Sequence, residues 1–597
     1  MCCLKYHRDI LAPAGKALSA GFSMRGLPKA SVGYAAAAFP QGADASSLIK
    51  QVKTILTETV KEGVSADLVD AAKRHAMTDA EIQKNSVSGL AMAWSQALVV
   101  EGQQSPADDL TAIEQVSVAD VNRVAHEYLD LDHAIVAVLT PHPSGNPISS
   151  HQGFGGQESF APQQTRHTPL PAWAEQAMNR LSVPPSTVHS LVTILPNGLK
   201  LIVQHESINH MVSVYGHVKN NAFLETPQDQ EGVDEVLDQL FSFGSTSLDR
   251  LAFQKAVDDV GANESAGVDF SLQVLADYFE RGVQLLADNE LHPALPEEAF
   301  KIIQRQLAAT VASRLHNPDY LTTRALYTAL FPKNDPTLRQ STPATISSLH
   351  IKDVRRYYQQ VFRPDLTTIV VIGQVTPQKA KAVIEKYFGA WTAAGPKPSL
   401  LLPPAPPNKP SLTVVPNATR VQDEVTLAET LGLTRSNPDY YALELGNHVL
   451  DGAFYATRLY RDLREKTGLV YSASSSFDVG KTRALYIVSY ACDPPNVSRV
   501  RTIVAREVKD LQAALVTPDE LRRAQALLLR SIPLSESSMD DIARGFIFRS
   551  VHDLPLNEPT LAAKQYMQLT AAQIKAAFAR WLRPADFVEV TEGPRPQ

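Results

Sequence analysis

Residues 349–373, LHIKDVRRYYQQVFRPDLTTIVVIG, predict a helix followed at once by a buried strand. Apolar residues at Leu349, Val354 and Phe362 anchor the helical part of this stretch at offsets of 0, 5 and 13. The β-branched run at residues 367–372 is typical of a strand that is buried on both faces. A helix that leads directly into a central strand indicates a domain in which helices pack on a sheet.

The same arrangement occurs twice more in the chain. In residues 116–129 and 569–582 the apolar anchors fall at the same offsets of 0, 5 and 13 as in residues 349–362. The first of these stretches also continues into a β-branched strand, predicted at residues 134–139. A pattern that recurs in this way indicates copies of one domain.

Two proline-rich segments separate the copies. Eight prolines fall within residues 141–185, and seven fall within residues 395–410. Because proline lacks the amide donor that helices and sheets need, linkers are predicted at 141–186 and 395–410. The chain then divides into block one (1–140), block two (187–394) and block three (411–593).

Block one is predicted to be an incomplete copy. At a shift of 452 residues Tyr34 matches Tyr486 and Ala72 matches Ala524, but block one has no counterpart of residues 412–471. The chain is therefore expected to hold about two and a half to three copies, the first of them truncated at its front.

The predicted fold class is α+β, with a mixed or antiparallel sheet and helices packed on one of its faces. Alternating strands are predicted at residues 199–203 and 212–218, and a hairpin turn is predicted at Pro196–Asn197–Gly198, just before the first of them. An amphipathic helix is predicted over residues 48–62.

Length and composition exclude several classes of protein. The chain has 597 residues, too many for one hydrophobic core, with 44% hydrophobic and 20% charged residues, as in globular proteins. No apolar run approaches the ~18 residues that a membrane span needs. The formal net charge of −7, from 56 basic and 63 acidic residues, argues against a nucleic-acid partner.

The cysteines and the first residues bear on the cellular compartment. Cys2, Cys3 and Cys492 form neither a disulfide framework nor a Cys-x-x-Cys site. Residues 1–20 lack the continuous apolar segment of a secretory signal. The localisation is thus unknown: cytoplasmic by default, and periplasmic if the natural chain starts further upstream.

Several motifs make the chain resemble the pitrilysin/insulinase family of zinc metallopeptidases, the inverzincins. These motifs are LPNGL at 195–199, PKNDP at 332–336, FRPD at 362–365 and KYFGAW at 386–391. The resemblance implies four α+β domains in two halves that close like a clamshell around peptides or unfolded proteins. Block one corresponds to the second domain of the first half, and blocks two and three to the third and fourth domains.

The zinc motif of this family, His-x-x-Glu-His, is degenerate in block two. The matching segment is EGVDEVLDQLFSFGS at 231–245, where Glu235 replaces the first His, Asp238 the Glu and Gln239 the second His. A neutral Gln is a poor zinc ligand, so these positions are predicted to bind no metal. Glu235 and Asp238 lie three residues apart and could form an acid–base pair, although a solvated pair is the simpler interpretation.

The third zinc ligand of the family also has no counterpart. Its expected region, residues 300–318, contains neither Asp nor Glu, and His316 is its one candidate donor, more simply explained as a helix-end histidine. Neither His-x-x-Glu-His nor His-Glu-x-x-His occurs in the 597 residues. The resemblance therefore implies no cofactor in this chain, with zinc on a homologous partner subunit or a missing N-terminal half.

A second family signature is retained in RLYRDLREKTGLVY at 458–471. The resemblance assigns Arg464 and Tyr471 to binding the scissile carbonyl and stabilising the oxyanion, a task that suits a guanidinium and a phenol. Locally, Arg464 could instead pair with Asp462 or Glu465, with Tyr471 as an ordinary strand residue. Strands at 470–477 and 484–490 are expected at sheet edges on the chamber wall, where peptides add as a strand.

Three hypotheses remain open from the sequence. The first is a metallopeptidase homologue that lacks its own zinc site and supplies Arg464, Tyr471 and chamber walls to a zinc-bearing homologous partner; alone, it is expected to be inactive. The second is a non-enzymatic structural or peptide-binding subunit of a processing complex. The third is a longer natural chain whose upstream part carries the zinc domain.

Overall fold

The computed structural model describes residues 19–27, 30–39, 44–140, 171–186, 188–452 and 456–594. Most of the predicted linker at 141–186 lies outside these residues, as do Cys2 and Cys3. Within the described parts of the chain, no helix has both the length and the hydrophobicity to cross a bilayer.

Block two is built on a six-stranded mixed sheet with the order β3-β4-β8-β5-β7-β6. Strand β4 pairs in parallel with β8, and the other neighbours are antiparallel. The strands are β3 (Leu191–Ile194), β4 (Lys200–His205), β5 (Met211–Val218), β6 (Asn263–Ser265), β7 (Asp269–Leu275) and β8 (Thr367–Gly373).

The helices of block two cover one face of this sheet and form its core with it. They are α7 (Ala222–Glu225), α8 (Val233–Leu240), α9 (Arg250–Asp259), α10 (Phe279–Leu291), α11 (Glu297–Arg314), α12 (Pro318–Leu330), α13 (Pro343–Ser348), α14 (Ile351–Val361) and α15 (Pro377–Phe388). Of these, α12 is the exception described below.

Block three repeats this plan with a five-stranded sheet in the order β11-β12-β10-β13-β9. Its strands are β9 (Ser411–Pro416), β10 (Asp423–Leu431), β11 (Val470–Val479), β12 (Ala484–Cys492) and β13 (Val588–Gly593). Its helices are α16 (Tyr440–Asp451), α17 (Val497–Ala513), α18 (Pro518–Leu534), α19 (Met539–Val551), α20 (Glu558–Gln568) and α21 (Ala571–Trp581). The predicted α+β class with a mixed sheet is confirmed. Strand β12 was expected at a sheet edge. It lies instead inside the sheet, because it pairs with β11 on one side and with β10 on the other.

Block one follows block three element by element at the shift of 452 residues. Its elements are β1 (Ser19–Leu27), β2 (Ala30–Ala38), α1 (Ala45–Glu62), α2 (Ala66–Gln83), α3 (Val87–Ser95), α4 (Pro106–Gln115) and α5 (Val118–Tyr128). Adding 452 to the first residue of α1, α2 and α3 gives 497, 518 and 539, the first residues of α17, α18 and α19. A short helix, α6 (Ala172–Asn179), follows.

The three repeated helix phrases begin in the same way. In α5, α14 and α21 the residue three positions after the N-cap accepts a hydrogen bond from the N-cap backbone N–H, at 2.9 to 3.0 Å. The acceptors are Asp120, Asp353 and Gln573. This capping interaction satisfies an otherwise unpaired amide at the helix start and fixes where each helix begins.

The strand predicted at residues 134–139 does not form, and that prediction was wrong. In block three the equivalent strand β13 lies between β10 and β9. The described residues of block one contain no counterpart of either neighbour, so residues 134–139 have no ladder partner for their backbone. As a result Val136 is 49% exposed, whereas its counterpart Val588 is fully buried.

In blocks two and three the second face of the sheet is covered by a helix from the other of these two blocks, which the expectation of helices on one face missed. Helix α12 of block two packs with Leu326 and Leu330 on Val588 and Val590 of block three. Helix α19 of block three packs in turn on the outer face of the block two sheet, through residues Met539, Ile542, Ala543 and Phe546 against Ile202, Val370 and Ile372. We call α12 and α19 the exchange helices; they tie the two blocks into one reciprocal unit.

Candidate functional site

Arg464 and Tyr471 are brought together at one end of the block three sheet. Arg464 lies on a wide helical turn, Tyr460–Glu465, and Tyr471 is the second residue of strand β11. The Arg464 Nη1 donates a hydrogen bond to the Tyr471 carbonyl oxygen at 3.0 Å, and its guanidinium lies 4.6 Å from the centroid of the Tyr471 ring. A second aromatic residue, Tyr460, has its ring centroid 5.2 Å from the same guanidinium.

The turn between them is fixed by the local sequence. Leu463 is fully buried and anchors the helical turn, and the Thr467 hydroxyl donates to the Asp462 and Leu463 carbonyls at 2.9 Å. Gly468 then reverses the chain with φ of 62°, in the left-handed region that favours glycine. This turn lets residues seven apart meet across the start of the strand.

Of the two acidic neighbours considered as partners for Arg464, Asp462 is engaged by other cations. Asp462 accepts from Arg461 and Arg506, both at 2.6 Å, and pairs with Lys466 at 2.9 Å. Although burial opposes it, these hydrogen bonds and charges hold the pKa of Asp462 well below its usual range. Asp462 therefore stays ionised and organises the underside of the turn.

Tyr471 is placed where a bound chain could reach it. Its side chain is 51% exposed, and β11 is an outer strand of the block three sheet, hydrogen-bonded to β12 alone among the described strands. The pairing of β11 with β12 is irregular between Val470 and Ala473, so the start of β11, where Tyr471 lies, departs from the regular ladder. An exposed edge with two fixed donors beside it can pair with an extended peptide.

The degenerate metal motif on α8 is held by an ion pair. Both oxygens of Glu235 accept from the Arg314 guanidinium at 3.0 Å, and the Ser341 hydroxyl donates to Glu235 at 2.8 Å. The hydrogen bond with Glu235 raises the pKa of Arg314. A bidentate pair of this kind fixes the carboxylate in place.

The other two motif residues point elsewhere. Asp238 and Gln239 are exposed, and a Cβ on Gly267 would lie 3.2 Å from Asp238 Oδ1, so this carboxylate sits over the Gly267 turn. Glu235 and Asp238 thus contact different groups, and the structure does not join them as an acid–base pair. His316 is also exposed, at the end of α11.

These residues do not fit a zinc ion. The one motif carboxylate that faces the interior, Glu235, already neutralises a guanidinium, and Gln239 offers a neutral amide where the motif needs an imidazole. In the parts of the chain that the structure describes, no three or more His, Cys, Asp or Glu side chains gather closely enough to hold a metal.

Arg314 is a residue that the sequence analysis missed. It lies 79 positions after Glu235, inside the region searched for an acidic third ligand. That search considered acids and histidine only, whereas Arg314 is a basic residue within the same region. The guanidinium of Arg314 therefore binds the carboxylate of Glu235 at the degenerate motif.

A cavity of about 300 Å³ lies next to this motif and is lined by Glu264, a half-buried acid that the sequence did not indicate, as it did not indicate the nearby buried Glu290. Glu264 lines it and accepts from Asn289 Nδ2 at 3.1 Å, and burial raises the pKa of Glu264 to about 7. Glu290 is fully buried behind it and accepts one hydrogen bond, from the Gly267 amide at 2.9 Å. Burial, with a contribution from Glu264, raises the pKa of Glu290 well above its usual value.

The stability of block two is therefore expected to fall as the pH rises. Because both acids bind protons more tightly in the folded state, their contribution is complete below about pH 4.5 and is lost as the pH passes through the folded pKa values. Replacing Glu290 with Gln should flatten the fall in unfolding free energy between pH 5 and 8, measured by urea denaturation. The exposed Glu298→Gln serves as control, and parallel pH profiles of wild type and Glu290→Gln would contradict this assignment.

The chain is similar in sequence to known peptidase homologues. Residues 348–528 match the family described as the peptidase M16 inactive domain. The chain is 22% identical over 360 residues to the uncharacterized zinc protease YmxG of Bacillus subtilis, a match that covers 58% of this chain and 85% of YmxG.

Two solved structures share the fold. A peptidase M16 inactive domain from Pseudomonas fluorescens matches with a TM-score of 0.60 and 22% identity, over 68% of this chain and 98% of its own. The periplasmic protease PqqL from Escherichia coli matches with a TM-score of 0.60 and 14% identity, over 99% of this chain and 68% of PqqL. At these identities the structural matches establish the fold alone.

Proposed function

Because the chain is a homologue of the pitrilysin/insulinase (M16) zinc peptidases, we propose that it forms the portion of a peptidase that lacks a zinc site of its own, completed by a zinc-bearing homologous half. In this proposal Arg464, Tyr471 and the edge of β11 face the zinc site of the other half across a closed chamber. The substrates are peptides and unfolded proteins that enter in an extended conformation.

The observation that carries the proposal is the contrast between two sites of one chain. Arg464 and Tyr471 lie together beside an exposed strand edge, whereas Glu235 of the degenerate motif is locked by Arg314. A site retained for donors and not for metal suits a half that assists hydrolysis carried out elsewhere.

Each group of this chain has a definite task in the proposal. The backbone of β11 pairs with the peptide and fixes its register. The Arg464 guanidinium donates to the oxygen of the scissile carbonyl, and the Tyr471 hydroxyl donates to the same oxygen as negative charge develops on it. A zinc ion in the other half supplies the activated water.

The experiment is a reconstitution with purified components. The chain is mixed with a zinc-bearing M16 homologue encoded in the same genome, and cleavage of a fluorogenic peptide is compared for each protein alone and for the mixture. We expect cleavage by the mixture and none by this chain alone. The matched control is the same mixture with the Glu of the homologue's zinc motif changed to Gln, which should be inactive. A mixture no more active than the homologue alone would refute the proposal.

A second candidate is a peptide-holding subunit without a catalytic role. It is favoured by the contact of the Arg464 guanidinium with the Tyr471 ring, which satisfies the two side chains against each other in the absence of substrate. This candidate predicts that the chain binds an extended peptide, followed by fluorescence anisotropy, and that cleavage by the homologue is the same with and without the chain.

A further inference from the structure

The cavity beside the degenerate motif combines apolar walls with a few polar groups. Phe241 follows the end of α8, Phe253 and Val257 lie on α9, Glu264 lies on β6 and Asn289 lies on α10, and all five line the cavity. Its volume of about 300 Å³ is at the lower end of the range for small-molecule sites. A pocket of this composition and size suits a small ligand and not a macromolecule.

Glu264 directs its carboxyl group into block two. It lies directly opposite Leu272 across the β6–β7 ladder, so the two side chains share one face of the sheet. Leu272 is fully buried in the core that the helices form on this face. One Glu264 oxygen accepts from Asn289 Nδ2 at 3.1 Å, and the described residues give the carboxyl group no other hydrogen bond.

This carboxyl group also lacks a counter-charge. Burial raises the pKa of Glu264, and only the hydrogen bond from Asn289 acts against it, so no cation of the described chain stabilises the ionised form. Arg250 lines the same cavity, but its guanidinium lies over the Phe243 ring, 4.8 Å from the centroid, and forms no ion pair with Glu264. A charge in such a site is costly until a cation pairs with it.

Asn289 supplies a second acceptor without a partner. Its side chain is 3% exposed, and its Nδ2 is used by Glu264. Its Oδ1 is buried and accepts no hydrogen bond from any described residue. Because buried polar atoms nearly always have partners, an acceptor of this kind next to a cavity points to a donor that enters from outside the chain.

We propose that the cavity binds a small organic molecule that carries a primary ammonium group on an apolar body. The ammonium group has three donors, which suit the Glu264 carboxylate and Asn289 Oδ1. The apolar body packs against Phe241, Phe253 and Val257. The inference is independent of the proposed function, because it requires neither a zinc-bearing half nor a peptide.

Other classes of ligand fit this cavity less well. A divalent metal needs more acidic or histidine ligands, and the described chain gathers no three such side chains in one place. An anion would be repelled by Glu264 and would leave Asn289 Oδ1 unpaired. A neutral molecule would leave the carboxylate without a counter-charge, whereas an ammonium ion favours the ionised form.

The experiment titrates the purified chain with phenethylamine, which is protonated at neutral pH, by isothermal titration calorimetry. We expect one site per chain with a Kd below about 1 mM, as for a ligand of this size. The neutral 2-phenylethanol has nearly the same shape and should bind at least about tenfold more weakly, because it lacks the charge that pairs with Glu264.

Glu264→Gln removes the charge and keeps an oxygen that can accept from Asn289 Nδ2, so the variant is expected to fold. It should weaken the binding of phenethylamine by about tenfold or more. The matched control is Glu298→Gln, an exposed acid on α11 outside the cavity lining, which should leave Kd unchanged. Circular dichroism shows whether each variant is folded.

L-Phenylalanine, which is phenethylamine with an added carboxylate, distinguishes two sources of the same ammonium chemistry. Binding of L-phenylalanine more tightly than phenethylamine would identify an amino acid as the ligand, because its carboxylate can reach Arg250. Weaker binding would identify a simple amine.

Three results would overturn the proposal. They are the lack of saturable phenethylamine binding, a Kd for 2-phenylethanol as low as that for phenethylamine, and equal Kd values for Glu264→Gln and wild type. The comparison of the amine with the alcohol needs only the wild-type chain, so it decides the matter even if Glu264→Gln does not fold.

Discussion

Replacing Arg464 with Ala in the reconstituted peptidase is expected to lower kcat by a factor of about 10² to 10³, the usual effect of losing one oxyanion donor. The KM for peptide should change much less, because the guanidinium interacts most strongly with the charge that develops in the transition state. Arg464→Lys should recover little, since a point charge on a flexible stem does not reproduce the fixed geometry of the guanidinium. Steady-state kinetics at a fixed ratio of the two proteins provide both constants.

Tyr471→Phe removes the second donor and leaves the ring that stacks on the guanidinium. We expect a smaller fall in kcat than for Arg464→Ala, and less than additive effects in the double variant, because both donors act on one oxygen. Arg499→Ala, an exposed position on α17, is the matched control and should leave kcat unchanged. If Arg464→Ala and Tyr471→Phe both turn over peptide at the wild-type rate, these residues have no part in catalysis.

Replacing Arg483 with Ala is expected to destabilise the unit formed by blocks two and three by about 3 to 5 kcal/mol, because the substitution leaves a buried carboxylate without its counter-charge. Arg483 precedes β12 in block three, and its Nη1 donates to both oxygens of Asp335 of block two at 3.0 and 3.2 Å. The two side chains are 9% and 3% exposed. The guanidinium also lies 4.8 Å from the centroid of the Phe331 ring.

The measurement is the shift of the urea midpoint for this unit, followed by circular dichroism. The double variant Arg483→Ala with Asp335→Ala should lose much less stability than the sum of the single variants, since neither charge is then left alone. Lys386→Ala breaks an exposed pair with Glu280 and serves as control, with little expected change. Additive losses in the double variant would show that Arg483 and Asp335 act independently.

The sequence predicted the repeat and the position of most elements because these depend on local patterns. The anchors at 349–362 and 569–582 became α14 and α21, each followed by a central strand, and the shift of 452 residues aligned block one with block three. The strand at 134–139 failed for a non-local reason. Its own sequence suits a strand, but a strand needs neighbours, and those neighbours are missing from the described part of block one.

The candidate site divides in the same way. The signature at 458–471 indicated which Arg and Tyr to consider, but their contact depends on the turn that Gly468 makes. Arg314 could not be found from the spacing of acids and histidines, because its importance lies in facing Glu235 across two helices.

The sequence by itself determined that this chain consists of repeated α+β domains, and through its family resemblance it predicted a degenerate metal motif and a retained Arg–Tyr signature. These features lie within short segments, where residue type and periodicity carry the information. Only the tertiary structure decided that blocks two and three cover each other's sheets with α12 and α19, that Arg314 forms an ion pair with Glu235, and that α3 has exposed apolar residues. Such contacts join residues far apart in the chain, and which apolar face meets which sheet is fixed only when the whole chain packs.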